Sequence, residues 1–109
     1  MTLRSDTDLT LEILLNVMHC SKCRYWHDEN GFYFAQPYAF KPFLDIDHAF
    51  MILKYFTKKN VHIKLMGCGD VWSCEIKDAF PCSFDSPMRA ICMAALDYEG
   101  ISTTEEEMP

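Results

Sequence analysis

Residues 61–100 constrain the fold of this chain more than any other stretch, because they read as three strands feeding a capped helix. In Val61-His62-Ile63-Lys64-Leu65, apolar and polar residues alternate, the period of a strand with one buried face. A tight Gly67-Cys68-Gly69-Asp70 connection leads to a second alternation, Trp72, Cys74 and Ile76 against Ser73, Glu75 and Lys77. A third run places Phe80, Cys82 and Phe84 on one face and Pro81 and Ser83 on the other. Asp85-Ser86-Pro87 then opens a helix: the Ser86 hydroxyl suits the cap, and Pro87 suits the first turn, where a missing N–H costs nothing. Met88, Ile91, Cys92, Ala95 and Leu96 form its expected buried face, Arg89 and Asp97 stay outside, and Gly100 ends it.

Upstream, a first helix is expected from Thr7 or Asp8 to Met18. Leu11, Leu14, Leu15 and Met18 share one face, and Leu9, Ile13 and Val17 widen it. Asn30-Gly31, with aromatic residues on both sides, signals a short hairpin, and residues 36–43, with Pro37 and Pro42, an extended loop. A second helix starts at a cap on Asp45 or Asp47 and buries Ile46, Ala49, Phe50, Leu53 and Phe56. Lys58 and Lys59 complement its dipole, and Asn60 ends it. The order helix, hairpin, helix, three strands, helix predicts an α+β domain, a three-stranded antiparallel sheet packed with helices. It spans residues 7–101, after a flexible lead-in over 1–6 and before a disordered acidic tail over 102–109.

A chain of 109 residues, half of them hydrophobic, has material for one real core and one domain. No apolar run approaches the roughly 20 residues that span a bilayer. Met1-Thr2-Leu3-Arg4-Ser5-Asp6 lacks the basic-then-apolar pattern of a signal peptide, which places the protein in the cytosol. In that reducing setting Cys74, Cys82 and Cys92 read as small buried hydrophobes. The net charge of −6 argues against nonspecific binding to a phosphate backbone, which relies on clustered Lys and Arg. It suits a basic partner surface or simply solubility.

Cys20-x-x-Cys23, with His19 and His27 nearby, is the sharpest chemical constellation. Two thiolates at that spacing can chelate Zn²⁺ with an imidazole as third ligand. A reduced cysteine pair at a helix end explains the same residues. Arg24, Tyr25, Trp26 and His27, followed by Asp28 and Glu29, combine the residue types that dominate protein-binding hot spots, although Trp26 serves equally to complete a small core. Gly67-Cys68-Gly69-Asp70 joins two antiparallel strands and so reads as a hairpin turn, not a phosphate loop. His19, His27, His48 and His62 stand beside no nucleophile pattern. The helix–three strands–helix order is shared with double-stranded RNA-binding domains, but Ser86-Pro87-Met88-Arg89 offers one Arg where that fold needs a basic cluster.

Several of these features together resemble the phage ABA sandwich domain of small phage and prophage proteins. They are Asn16-Val17-Met18 closing the first helix, Tyr25-Trp26 before the turn, Phe32-Tyr33, Asp45-Ile46, the Trp72 strand and the run from Asp85 to Leu96. The resemblance covers roughly residues 8–101, and His19-Cys20-Ser21-Lys22-Cys23 departs from the family's short connection. It implies a non-enzymatic phage accessory protein in the cytoplasm of a bacterial host. Such a protein would bind and inhibit or redirect a host factor, as an anti-defence, anti-CRISPR-like inhibitor does. The binding surface would then be Arg24, Tyr25, Trp26, His27, Asp28 and Glu29. Two alternatives stand beside it: a sponge for a nucleotide signal, held by Lys64 or Arg89, and an interaction module stabilised by zinc on Cys20 and Cys23.

Overall fold

A computed structural model describes residues 2–19, 21–22, 26–27, 33–34, 40–77 and 82–105. The chain is α+β. A short strand β1 (Thr2–Leu3) precedes α1 (Asp6–Glu12), which runs directly into a wider π-helical turn over Ile13–Val17. Three two-residue strands follow, β2 (Ser21–Lys22), β3 (Trp26–His27) and β4 (Tyr33–Phe34), in an antiparallel sheet ordered β2-β3-β4. β3 pairs β4 with Trp26 opposite Phe34 and His27 opposite Tyr33, and the turn expected at Asn30-Gly31 lies outside the described residues. Then come α2 (Ile46–Lys58), β5 (Ile63–Cys68), β6 (Val71–Ile76), β7 (Cys82–Phe84), α3 (Pro87–Tyr98) and β8 (Thr104–Glu105). Strands β5, β6 and β7 form the main antiparallel sheet, in that order.

Both long helices open and close on local sequence. Ser86 accepts the Arg89 N–H at the start of α3, and Asp45 accepts the Asp47 N–H at the start of α2. Each ends in the same paired closure. In α3 the Ile101 N–H reaches the Leu96 carbonyl and the Gly100 N–H that of Asp97, with Gly100 at φ 73°. In α2 the Val61 N–H reaches Phe56 and the Asn60 N–H reaches Thr57, with Asn60 at φ 60°. These are Schellman closures, which satisfy the last carbonyls through one left-handed residue.

Helix α3 is the centre of the molecule. Residues 90–96 are all buried, and the helix touches β5, β6, β7, α2 and the π-helical turn. Its apolar ring meets Cys74 and Ile76 of β6 on the sheet, with Leu65 and Ile63 opposite them on β5. The β5–β6 hairpin turns through Gly69 at φ 60°, the sign that hairpin turns matched to the strand twist require at the first position. Gly67 stands opposite Trp72, whose ring covers it so closely that a Cβ there would lie 2.8 Å from Cζ3.

Three expectations need correction. The first helix buries Leu9, Ile13, Leu14, Val17 and Met18, leaving Leu11 and Leu15 about 40% exposed. Leu9, Ile13 and Val17, with Leu14 and Met18 beside them, form one i, i+4 face turned to the core, and Leu11 and Leu15 fall off its edge; the Met18 N–H bonds Ile13 five residues back, in the π turn. Helix α2 buries Ala49, Ile52, Leu53, Tyr55 and Phe56, while Ile46 and Phe50 are 37% and 46% exposed. The flexible lead-in and tail, finally, pair with each other where they are described. Thr2 and Leu3 lie opposite Glu105 and Thr104, and the Arg4 N–H donates to the Thr103 carbonyl while its guanidinium donates to Ser102. Capped by Ser5, α1 accordingly begins at Asp6.

The two closures respond oppositely to substitution. Gly100→Ala puts a Cβ on a left-handed residue and should cost about 1–2 kcal/mol, whereas Asn60→Gly should be neutral or stabilising by a few tenths. Urea unfolding with unchanged slope checks both.

Candidate functional site

Most of the surface expected from sequence lies outside the described residues: Arg24, Tyr25, Asp28 and Glu29, and the cysteines Cys20 and Cys23. Trp26 and His27 are placed only as backbone, in the middle strand of the small sheet. Among the described residues no group of three or more His, Cys, Asp or Glu side chains gathers to hold a metal, and no helix is long and apolar enough to cross a membrane.

The other candidate groups are placed in full. Arg89, expected outside, is half-buried: its guanidinium donates to both Asp6 carboxylate oxygens, at 2.8 and 2.9 Å, and lies 4.9 Å from the Phe43 ring centre. It ties the first turn of α1 to the first turn of α3. Lys64 projects from the face of β5 opposite the one α3 covers, so the two cations proposed for a nucleotide are on different sides of the sheet. His48 accepts the Lys41 N–H at Nδ1 (2.9 Å) and lies against the Phe40 ring, a structural role in holding the 40–43 segment on α2. His19 and His62 are exposed.

Cys74 and Cys92 are buried, as expected, and Cys68 is exposed. Burial pushes the Cys92 thiol far up, against the weaker opposing pull of Arg89. A thiol held in its neutral form is neither nucleophile nor metal ligand, so Cys92 is core packing.

The feature that sequence reasoning missed lies between α2 and β5. Phe50, Leu53, Lys54 and Thr57 face Ile63 and Leu65 across an open groove of about 380 Å³. Phe50 of its apolar wall is about half exposed, and Ile46, one turn earlier on α2, is exposed as well. β5 is an edge strand: β6 pairs one side, and among the described residues no strand pairs the other. The Lys77 N–H bonds the His62 carbonyl, which fixes the alternation. Lys64, Met66 and Cys68 direct their backbone groups to β6; Ile63, Leu65 and Gly67 direct theirs outward. Those same three residues carry the groove-side face of the strand. An apolar trough and a row of outward N–H and C=O groups therefore coincide. A signal for this was present in sequence: α2 carries more apolar residues (Ile46, Ala49, Phe50, Ile52, Leu53, Tyr55, Phe56) than one buried stripe accommodates.

Comparison with family models, curated proteins and solved structures finds no match to this chain.

Two measurements test these assignments. A double-mutant cycle over Asp6→Asn and Arg89→Met should return a coupling of up to about 1 kcal/mol, the scale of a partly exposed ion pair in which one guanidinium nitrogen, Nη2, meets both carboxylate oxygens. For Cys92, the folded protein keeps a proton that the unfolded chain releases near the ordinary thiol value of 9.0. Its stability contribution is therefore complete below that pH and falls above it, by about 1.4 kcal/mol per unit. Cys92→Ala should flatten that alkaline loss, and native alkylation mapped by mass spectrometry should label Cys68 but spare Cys74 and Cys92.

Proposed function

We propose that this chain is a non-enzymatic binding protein that docks a segment of a partner protein in the α2–β5 groove. One observation carries the reading: half-exposed Phe50 and a strand edge that no strand among the described residues pairs flank the same apolar trough. Contiguous exposed apolar surface beside open backbone groups is a liability for an isolated domain and the usual makings of an interface. Carrying no fixed catalytic geometry, such a surface works by occupying a partner. In keeping with the sequence resemblance, the partner is a bacterial host factor that a phage-derived protein inhibits or redirects, an anti-defence role of the anti-CRISPR kind. The segment with Arg24, Tyr25, Trp26, His27, Asp28 and Glu29 is the second surface such a complex would use.

Affinity capture from bacterial lysate, with three versions of the protein side by side, tests this. The wild-type chain should retain a stoichiometric host protein, and Phe50→Asp, a change at a half-exposed position, should lose it while melting normally. Retention by Phe50→Asp but loss on charge reversal at Asp28 and Glu29 would move the site to the aromatic segment. Retention of nothing by the wild type would remove the binding reading.

A further inference from the structure

Two cysteines stand opposite each other in the main sheet, away from the groove. From their register we infer that Cys74 of β6 and Cys82 of β7 are a reversible thiol–disulfide pair, closed by a low-molecular-weight disulfide and reopened by the corresponding thiol. The ladder makes the case. Directly opposite residues of an antiparallel pair share a face of the sheet. The Lys77 N–H bond to His62 sets Val71, Ser73 and Glu75 toward β5, so Trp72, Cys74 and Ile76 bond β7. Hydrogen-bonded partners of this kind hold their Cα atoms about 5.5 Å apart, at the commonest separation for a disulfide. Their Cβ atoms stand about 5.5 Å apart as well, roughly 1 Å beyond the usual limit for a disulfide. Closing the bond therefore draws the two strands together. β7 is the strand that can yield: it is three residues long and, among the described residues, lies at the edge of its sheet. A disulfide formed under that tension is of the reducible kind, which opens and closes, rather than a permanent staple.

The other thiols on this side of the chain are placed for different fates. Cys92 of α3 is near enough to Cys74 for a charge on one to be felt at the other, but burial holds its thiol neutral and denies it a thiolate. Cys68 is exposed and stands opposite Val71, so it meets no thiol on the facing strand. Cys74 is wholly buried, and the first attack therefore falls to Cys82, the opening residue of β7. The Cys82 thiolate, its proton passed to water, attacks one sulfur of the small disulfide and releases a small thiolate, which takes up a proton. The Cys74 sulfur then attacks the Cys82 sulfur of the mixed disulfide, and the Cys74 proton leaves with the second small thiol. The cysteine pair has lost two electrons and two protons, and the small disulfide has become two thiols.

Glutathione disulfide, added to the folded full-length chain carrying Cys68→Ser, tests the pair. The substitution is at an exposed position, and in that chain trypsin puts each remaining cysteine in its own peptide, with Cys74 in 65–77, Cys82 in 78–89 and Cys92 in 90–109. Mass spectrometry should find 65–77 joined to 78–89 with the loss of two hydrogens and no glutathione attached. Excess reduced glutathione should then remove the link. Both cysteines of the pair are native here, so the readout does not depend on how a Cys74 or Cys82 variant folds. A link from 65–77 to 90–109 would make Cys92 the partner and overturn the assignment to Cys82. Glutathione retained on Cys82 without a link would show that the strands do not close. A link that survives reduced glutathione would overturn reversibility, and one that forms only in denaturant would show that the folded ladder does not bring the sulfurs together. Neither link nor adduct in the folded chain would overturn the proposal outright.

Discussion

The burial of α3 on all sides is the constraint on which the rest of this structure depends. A helix with residues 90–96 all inside must be covered by several elements at once, and here the sheet, α2 and the π-helical turn supply that cover. Ala90, Ala94 and Ala95 let neighbours approach closely, while Ile91 and Leu96 each contribute about 1.5–3 kcal/mol of burial. Cys92 fits the same logic as a small side chain whose neutral thiol belongs in an apolar site. The ends of the helix are then held by polar devices that need no core: Ser86 at one end, Gly100 at the other, and Arg89 clamped by Asp6.

That arrangement determines where apolar surface is left over. Covering α3 draws Ala49, Ile52, Leu53 and Phe56 of α2 inward, and the edge-to-face contact of Phe56 with Tyr98 fixes the approach. Helix α2 has apolar residues beyond those four: Phe50 faces Ile63 and Leu65 of β5, and Ile46 stays exposed. On the sheet, α3 sits chiefly over β6 and β7, leaving Ile63 and Leu65 of β5 only partly covered. The groove is what remains between two elements that each pack against the same third one. Its position follows from the core, even though its residues are not part of it.

How much of this was legible in the sequence depended on whether the signal was local. The cap at Ser86, the left-handed closures at Asn60 and Gly100 and the alternation over Ile63–Leu65 and in β6 read correctly, because each is decided within a few residues. The α2 cap reads only as Asp45 or Asp47, and Gly67 and Cys68, expected in the connection, belong to β5. The faces of α1 and α2 read less well. Leu11 and Leu15 obey helical spacing as well as Leu9 and Ile13 do, and only the packing of this segment against α3 and the core selects between them. Phe50 obeys the spacing of the α2 stripe, and only the position of β5 makes it a groove wall. The β1–β8 pairing was out of reach for a further reason: Thr2 and Glu105 are joined by tertiary proximity, with no turn or alternation to announce it.

The candidate site shows the same division in sharper form. Composition drew attention to the aromatic residues between Arg24 and Glu29, because residue type is what sequence displays. The α2–β5 groove has an unremarkable composition of Phe, Leu, Lys, Thr and Ile, and its significance lies in backbone geometry. An edge strand is ordinarily defended by brevity, by proline or by charges that point inward. β7 is defended by brevity, at three residues. β5 is twice as long, carries no proline and keeps its one charge, Lys64, on the face away from the groove. Among the described residues that edge is left open on the apolar side and charged on the other, so its outer face resists indiscriminate stacking of sheets while the trough side stays uncovered. That asymmetry is the feature on which the proposed docking role rests.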